Sequence, residues 1–312
     1  MPVRSCNVVS RRGEEGDICF YVRSLRYEDI PQLMEIRREL GVHDVQSCIQ
    51  TWITVDPQGI KIIETDTGEM VGACGFVKNN EDLAFLGLYC IRSKYQGYGL
   101  GVNVYKAAVE HAGNANGALN AVPGKLELYR DKGGFPVVET EFKCLKNFTT
   151  DHVDPRNLSS AIPKDVSIEA YQEHHLPALL DYDFSVVGFE RKFALALNCQ
   201  EQKSRTYVAM KNGACIGFGT IKTSCLGAGR VGPLYADDSA VAEVLLKTLI
   251  ISLPNVKGLV MNTVSTNISS KKFLKKLGIP LKEELTRMYT TERIDADTKK
   301  VFALFDLNLT PF

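Results

Sequence analysis

The chain has 312 residues, and 37 Lys+Arg balance 37 Asp+Glu to no formal net charge at pH 7. With 45% hydrophobic and 24% charged residues it has an ordinary globular composition. The neutral balance supplies no electrostatic drive toward nucleic-acid backbones or anionic membranes. A prior of about 150 residues per domain suggests two domains, each able to bury a sizeable core. The nine cysteines form no Cys-x-x-Cys pair and no ligand spacing with the histidines, which argues for free thiols and against a metal centre. Residues 1 to 17 are polar and contain no apolar signal core, and no 18-residue apolar run exists. The expectation is a cytoplasmic protein with no membrane partner.

In chain order, Ile18 to Arg23 reads as a strand and Tyr27 to Leu40 as a helix. Gly59 to Thr65 and Met70 to Val77 read as strands joined by the turn at Asp66-Thr67-Gly68. Leu83 to Arg92 reads as a further strand. Gly99 to His111 reads as a helix with Val102, Tyr105, Val109 and Ala112 on one face. A short strand near Ala118 to Val122 precedes a helix from Pro123 to Lys132, which ends at Gly133-Gly134. A last strand lies around Val137 to Leu145. Strands interleaved with helices imply an α/β protein with a mixed sheet covered by helices.

The pattern then repeats. Tyr27-Glu28-Asp29 is echoed by Tyr171-Gln172-Glu173 at an offset of 144, Gly68 by Gly213 at 145, and Gly134 by Gly278 at 144. Three landmarks in nearly one register indicate two related halves. The seam falls in the Pro-, Asp- and Ser-rich stretch from Asp151 to Asp165, dividing the chain into 1–150, a linker 151–165, and 166–312.

The segment richest in chemistry is Tyr89-Cys90-Ile91, followed by Gln96-Gly97-Tyr98-Gly99-Leu100-Gly101-Val102. An apolar strand runs through a triple-glycine loop into a helix. Glycines allow close backbone approach, and a helix N-terminus presents unpaired N–H groups with the positive end of its dipole, so the segment reads as a pyrophosphate cradle. The dinucleotide fingerprint needs glycine where Val102 stands, and no Gly-Lys-Ser/Thr follows, so neither nucleotide motif applies. Gln96 could instead cap the loop.

This loop resembles the Arg/Gln-Gly-x-Gly-x-Gly/Ala signature of the GNAT superfamily of N-acetyltransferases. Leu128-Tyr129-Arg130-Asp131-Lys132-Gly133-Gly134-Phe135 is similar to the family's tyrosine-bearing helix end. Leu119-Asn120-Ala121-Val122-Pro123-Gly124 and Gly232-Pro233-Leu234-Tyr235-Ala236-Asp237 resemble tandem members with a YitH-type second domain. The resemblance spans about Ile18 to Thr290. It implies two tandem GNAT-like folds, each a mixed, mostly antiparallel twisted sheet flanked by helices. It also implies acetyl-CoA as cosubstrate, held by Tyr89, Cys90, Ile91, Gln96, Gly97, Tyr98, Gly99, Leu100, Gly101 and Val102, with no metal. Tyr129 becomes the candidate proton donor to the leaving thiolate.

The implied reaction is acyl transfer to the amine of a small molecule by direct attack in a ternary complex. An alkyl amine of pKa near 10 is about 0.1% neutral at pH 7, so deprotonating it costs roughly 4 kcal/mol. Attack creates an oxyanion that needs an N–H donor, and the backbone of Tyr89-Cys90-Ile91 is placed to supply one. Cys90 is not expected to act as a nucleophile, since no histidine or cation is arranged to make it a thiolate. No general base is evident: Glu81 and Asp82 are expected to face water, and His174 and His175 to be surface residues. The second half has Asp237-Asp238 where a cradle belongs, with Asp238 or Ser239 as helix cap, so it is expected to have lost CoA binding and to shape the acceptor pocket or support the first half. A non-catalytic acyl-CoA sensor and a protein N-acetyltransferase are the alternatives; a monomer or homodimer fits equally.

Overall fold

The computed structural model describes residues 9–13 and 16–312, with side chains from residue 19 onward. The first half runs β1 (Val9–Gly13), β2 (Gly16–Ser24), α1 (Ile30–Glu39), α2 (Gln46–Val55), β3 (Ile60–Thr65), β4 (Met70–Lys78), β5 (Leu83–Ile91), α3 (Leu100–Ala112), β6 (Asn116–Ala121), α4 (Leu126–Asp131), β7 (Val137–Val138) and β8 (Cys144–Thr149). The second runs β9 (Val166–Ala170), α5 (Leu176–Val187), α6 (Lys192–Gln200), β10 (Arg205–Lys211), β11 (Ala214–Thr223), β12 (Gly229–Ala236), α7 (Ser239–Ser252), β13 (Leu259–Met261), β14 (Thr263–Val264), α8 (Ile268–Lys276), β15 (Leu281–Tyr289) and β16 (Val301–Ala303).

All these strands join one sheet. Its main path is β1-β2-β3-β4-β5-β6-β15-β8-β13-β12-β11-β10-β9, with β7, β14 and β16 pairing off it. Pairing is antiparallel except at two equivalent places, β5 with β6 and β12 with β13. The halves exchange strands at the centre. β15, late in the chain, pairs with β6 of the first half, whereas β8 pairs with β13 of the second. β15 and β8 then pair with each other.

The local reasons are mostly visible in the sequence. Ile30, Leu33, Met34 and Ile36 of α1 are buried, and Pro31 stands in its first turn, where a missing N–H costs nothing. Asp238 caps α7 by accepting from the amides of Ala240 (2.8 Å) and Val241 (2.9 Å). α3 differs from the expected face. Its buried residues are Leu100, Val104, Ala108 and Ala112, spaced by four, while Val102 is 54% exposed and Val109 37%. Small Ala108 and Ala112 let the helix lie close on β4, so the larger apolar residues turn outward. The expected strand at 137–145 divides into β7 and β8, because the buried Glu139 carboxylate accepts from the Glu141 amide (2.8 Å) and turns the chain between them. α2 had no sequence signal: Val45 precedes it without a side-chain cap, and β-branched residues crowd it. The first repeat landmark shifts too. The 3-10 turns Tyr27–Asp29 and Glu173–His175 lead into α1 and α5, giving an offset of 146, since Tyr171 precedes its turn instead of opening it.

Buried polar contacts tie the halves together. Glu201, after α6, accepts from Ser47 (2.6 Å) and Thr51 (2.8 Å) of α2 and pairs with the buried Lys222 of β11 at 2.8 Å.

Candidate active site

The site begins where two parallel strands part. β5 and β6 pair from Leu83↔Asn116 to Leu86↔Leu119 and no further. At Leu88 the backbone enters the left-handed region (φ 55°), and the β4–β5 register shifts across the same stretch. β6 continues against β15. Residues 307–308 wedge the gap. Asn120 donates to the Leu307 carbonyl at 3.0 Å, and a Cβ on Gly87 would lie 2.1 Å from the Asn308 carbonyl oxygen. Beyond the wedge the Arg92 amide donates to Val71 of β4 (2.8 Å). By strand alternation the Tyr89 and Ile91 amides therefore point to the open edge. The Ile91 carbonyl points there as well and accepts from the Gln96 side chain (2.9 Å), so Gln96 pins the start of the loop to the strand.

The loop ends at α3 with Gly99 as N-cap. Gly97 (φ 81°) and Gly99 (φ 75°) have left-handed backbones with open space at their Cβ positions. Conformation, not crowding, therefore requires glycine at both. Gly101 is the crowded one, because a Cβ there would stand 2.3 Å from the Tyr89 hydroxyl. No side chain caps α3, and although the Val102 amide donates to the Gly99 carbonyl (3.2 Å), the amides before it are left for water or an anion. A cleft of about 490 Å³ over this turn is lined by Tyr89, Cys90, Ile91, Gln96, Gly97, Gly99, Leu100, Gly101 and Val102, together with Leu40, Tyr95 and Lys125. Of the loop residues expected in the site, Tyr98 alone does not line it; it is 43% exposed.

A second cavity, of about 370 Å³, shares Leu40 and Tyr89 with that cleft and lies at the parting of β5 and β6. Its walls come from both halves: Tyr129 from α4 and Asn120 from β6, Lys146 and Phe148 from β8, Arg230 from β12, and Glu283 from β15. The Tyr129 ring meets Phe135 edge-on at 6.3 Å. Burial, reinforced by Cys74 and Tyr89, pushes its phenol up to about 12, so it holds its proton at neutral pH. Contrary to the sequence reading, a cation does stand beside Cys90, the Arg37 guanidinium. Burial is the larger effect and pushes the thiol up, although Arg37 favours its thiolate, which removes the thiolate a covalent route needs.

His43 also lines this cavity. Its Nδ1 lies 3.1 Å from the Ser224 hydroxyl and its ring 4.8 Å from that of Phe148. Burial, with Lys146 nearby, lowers its pKa and keeps it neutral. Arg37 pairs with Asp44, whose other oxygen accepts from Asn308 (3.0 Å). Sequence reading missed Arg37, His43, Asp44, Lys146, Arg230 and Glu283, which share no motif because separate elements deliver them. Glu81 and Asp82 are exposed, as expected, and line a different cavity. His174 is exposed, but His175 is buried: its Nδ1 accepts from the Gln172 amide (2.9 Å) and its Nε2 faces Glu169 (3.2 Å), beside the edge strand β9.

Two family models match the chain, one described as Acetyltransferase (GNAT) family over residues 24–131, the other as Acetyltransferase (GNAT) domain over 179–303. The chain belongs to the GNAT superfamily. It is an acyl-transferring enzyme of tandem GNAT architecture. It is 22% identical over 271 residues to the holothin acyltransferase of Pseudoalteromonas sp. (strain SANK 73390), covering 87% of this chain and 86% of that protein. Among solved structures it resembles a Pyrococcus horikoshii protein assigned as an acetyltransferase, with TM-score 0.71, 17% identity, and coverage of 93% of this chain and 96% of that one. It also resembles a tandem GNAT protein from the clavulanic acid biosynthesis pathway, with TM-score 0.61, 12% identity, and coverage of 86% and 98%. These likenesses extend over both halves, and no described helix is long and apolar enough to cross a membrane.

The halves of this GNAT chain differ at the cradle. Eight residues, 92–99, separate β5 from α3, whereas only Asp237 and Asp238 separate β12 from α7. The Asp238 carboxylate occupies the place at α7 that α3 leaves open.

Proposed function

We propose that this chain transfers an acetyl group from acetyl-CoA to the amine of a small molecule by direct attack in a ternary complex. Residues 1–150 form the CoA-binding unit, 151–165 the linker, and 166–312 a degenerate partner that walls the acceptor cavity. The observation carrying this reading is the junction at Tyr89, where an uncapped glycine loop and a cavity lined by both halves meet at an unpaired strand edge. The residues present suit such a cosubstrate. The amides of the α3 first turn would hold its diphosphate, with Lys125 at the cleft rim, and the edge of β5 offers backbone partners to an extended arm. When bound it supplies an activated thioester.

The protein's own part is to place groups around that thioester. The Tyr89 or Ile91 amide offers the N–H that a developing oxyanion needs, a type of contact worth about 3–4 kcal/mol in acyl transfer. The Tyr129 phenol holds a proton for the departing sulfur. The similarity to an acyltransferase along most of the chain supports transfer over mere binding. The test is calorimetric titration with acetyl-CoA followed by mass detection of acetylated amines. Saturable binding with product formation supports the proposal. Binding without any product across the panel turns it into an acyl-CoA sensor, and no binding removes it.

A further inference from the structure

The cavity walls carry information about the acceptor's charge. Three cations line it, Arg37, Lys146 and Arg230, against two carboxylates, Asp44 and Glu283. Both carboxylates are already engaged. Asp44 accepts from Arg37 on one oxygen and from Asn308 on the other. Glu283 faces Lys146 at 3.6 Å. Arg230 is partnered by Asp306, at 2.5 Å behind the wall. The remaining titratable groups that line it, His43, Tyr89 and Tyr129, are uncharged at neutral pH. An alkylammonium entering here would leave bulk water for walls that carry no net negative charge, where each carboxylate already faces a cation.

Resting on the acetyl-transfer reading above, we infer that the acceptor is an uncharged, weakly basic amine, such as an arylamine or ring-conjugated amine, and not an alkylammonium. Such an acceptor does not require Asp44 or Glu283 to act as a base. An amine already neutral at pH 7 needs no proton removed before attack. Its nitrogen forms the N–C bond, the C–S bond breaks with its electron pair on sulfur, and one proton passes from nitrogen to sulfur overall. That last transfer runs through Tyr129, which donates to sulfur and is restored from the nitrogen by way of cavity water. The rings of Phe148, His43 and Tyr89 offer flat apolar surface to such a molecule.

The experiment compares anilines with benzylamines of matched ring substitution, on the full chain, from pH 6.5 to 9, after acetyl-CoA binding is verified by calorimetry. The expected result is an aniline kcat/KM at least tenfold above that of benzylamine at pH 7 and constant within about twofold over the range. Benzylamine preference, or an aniline rate climbing tenfold per pH unit, overturns the inference. Acetyl-CoA binding with neither series acetylated also overturns it and leaves CoA binding intact. Failure to bind acetyl-CoA removes the underlying reading instead. Lys146→Gln frees Glu283 and is expected to raise the benzylamine-to-aniline ratio at least fivefold; an unchanged ratio shows that these charges do not select the acceptor.

Discussion

Substituting Gly99 by Asp and by Asn separates charge from conformation at the proposed cradle. Gly99 has φ 75° and nothing within 4 Å of its Cβ position, so neither side chain is crowded. Both variants share a left-handed backbone cost of about 1 kcal/mol or less, since Asn and Asp tolerate that region better than other residues. Only Asp brings a negative charge to the α3 N-terminus. A carboxylate about 5 Å from one phosphate charge costs roughly 0.8 kcal/mol at the dielectric of water and roughly 3 kcal/mol at an effective value of about 20. Those bounds correspond to about fourfold and a few hundredfold in Kd. Acetyl-CoA titration in low salt is therefore expected to show Gly99→Asn near the parent and Gly99→Asp weaker by at least fourfold. The gap should narrow in 1 M salt, and Tm should fall no further in Gly99→Asp than in Gly99→Asn, since the α3 dipole favours a carboxylate there. Equal affinity for the two variants would refute the anion cradle, whatever either does relative to the parent.

Tyr129→Phe is expected to lower kcat tenfold or more while changing acetyl-CoA affinity less than twofold, read by steady-state kinetics beside calorimetry. His43 titrates lower in the folded chain than in the unfolded one because it is buried. The unfolded state therefore takes up its proton first as pH falls below about 6.5, and stability is lost from there downward until the folded ring protonates. His43→Gln should flatten that loss in denaturant melts between pH 7 and 5, with no change in slope above pH 7. Glu201→Ala leaves Lys222 buried without its carboxylate and should cost about 3–5 kcal/mol, seen as a lowered denaturation midpoint.

The glycine loop and its place between strand and helix were legible because they are contiguous: φ-positive glycines and a helix start leave a local signature. Gln96 takes the alternative that the sequence left open, since its bond to the Ile91 carbonyl makes it a loop clasp. The repeat was legible from turn residues, but the exchange of β8 and β15 was not, because pairing partners more than a hundred residues apart leave no periodic trace. The outward turn of Val102 and Val109 was hidden as well. Hydrophobicity alone favours them for the core, whereas close packing favours Ala108 and Ala112. The cavity at the parting of β5 and β6 was the least legible part. Its charged residues lie at 37, 44, 146, 230 and 283, each unremarked in its own segment and meaningful only once the sheet brings them together. His175 was misjudged as a surface residue for a similar reason, as its capping bond to Gln172 draws it inward.

The most direct test of the account is a crystal structure with acetyl-CoA. It predicts the diphosphate on the backbone amides between Gly97 and Val102, and the thioester beside Tyr89 facing the cavity that holds Tyr129 and Glu283. A diphosphate bound elsewhere, or an α3 turn in contact with protein alone, would contradict it.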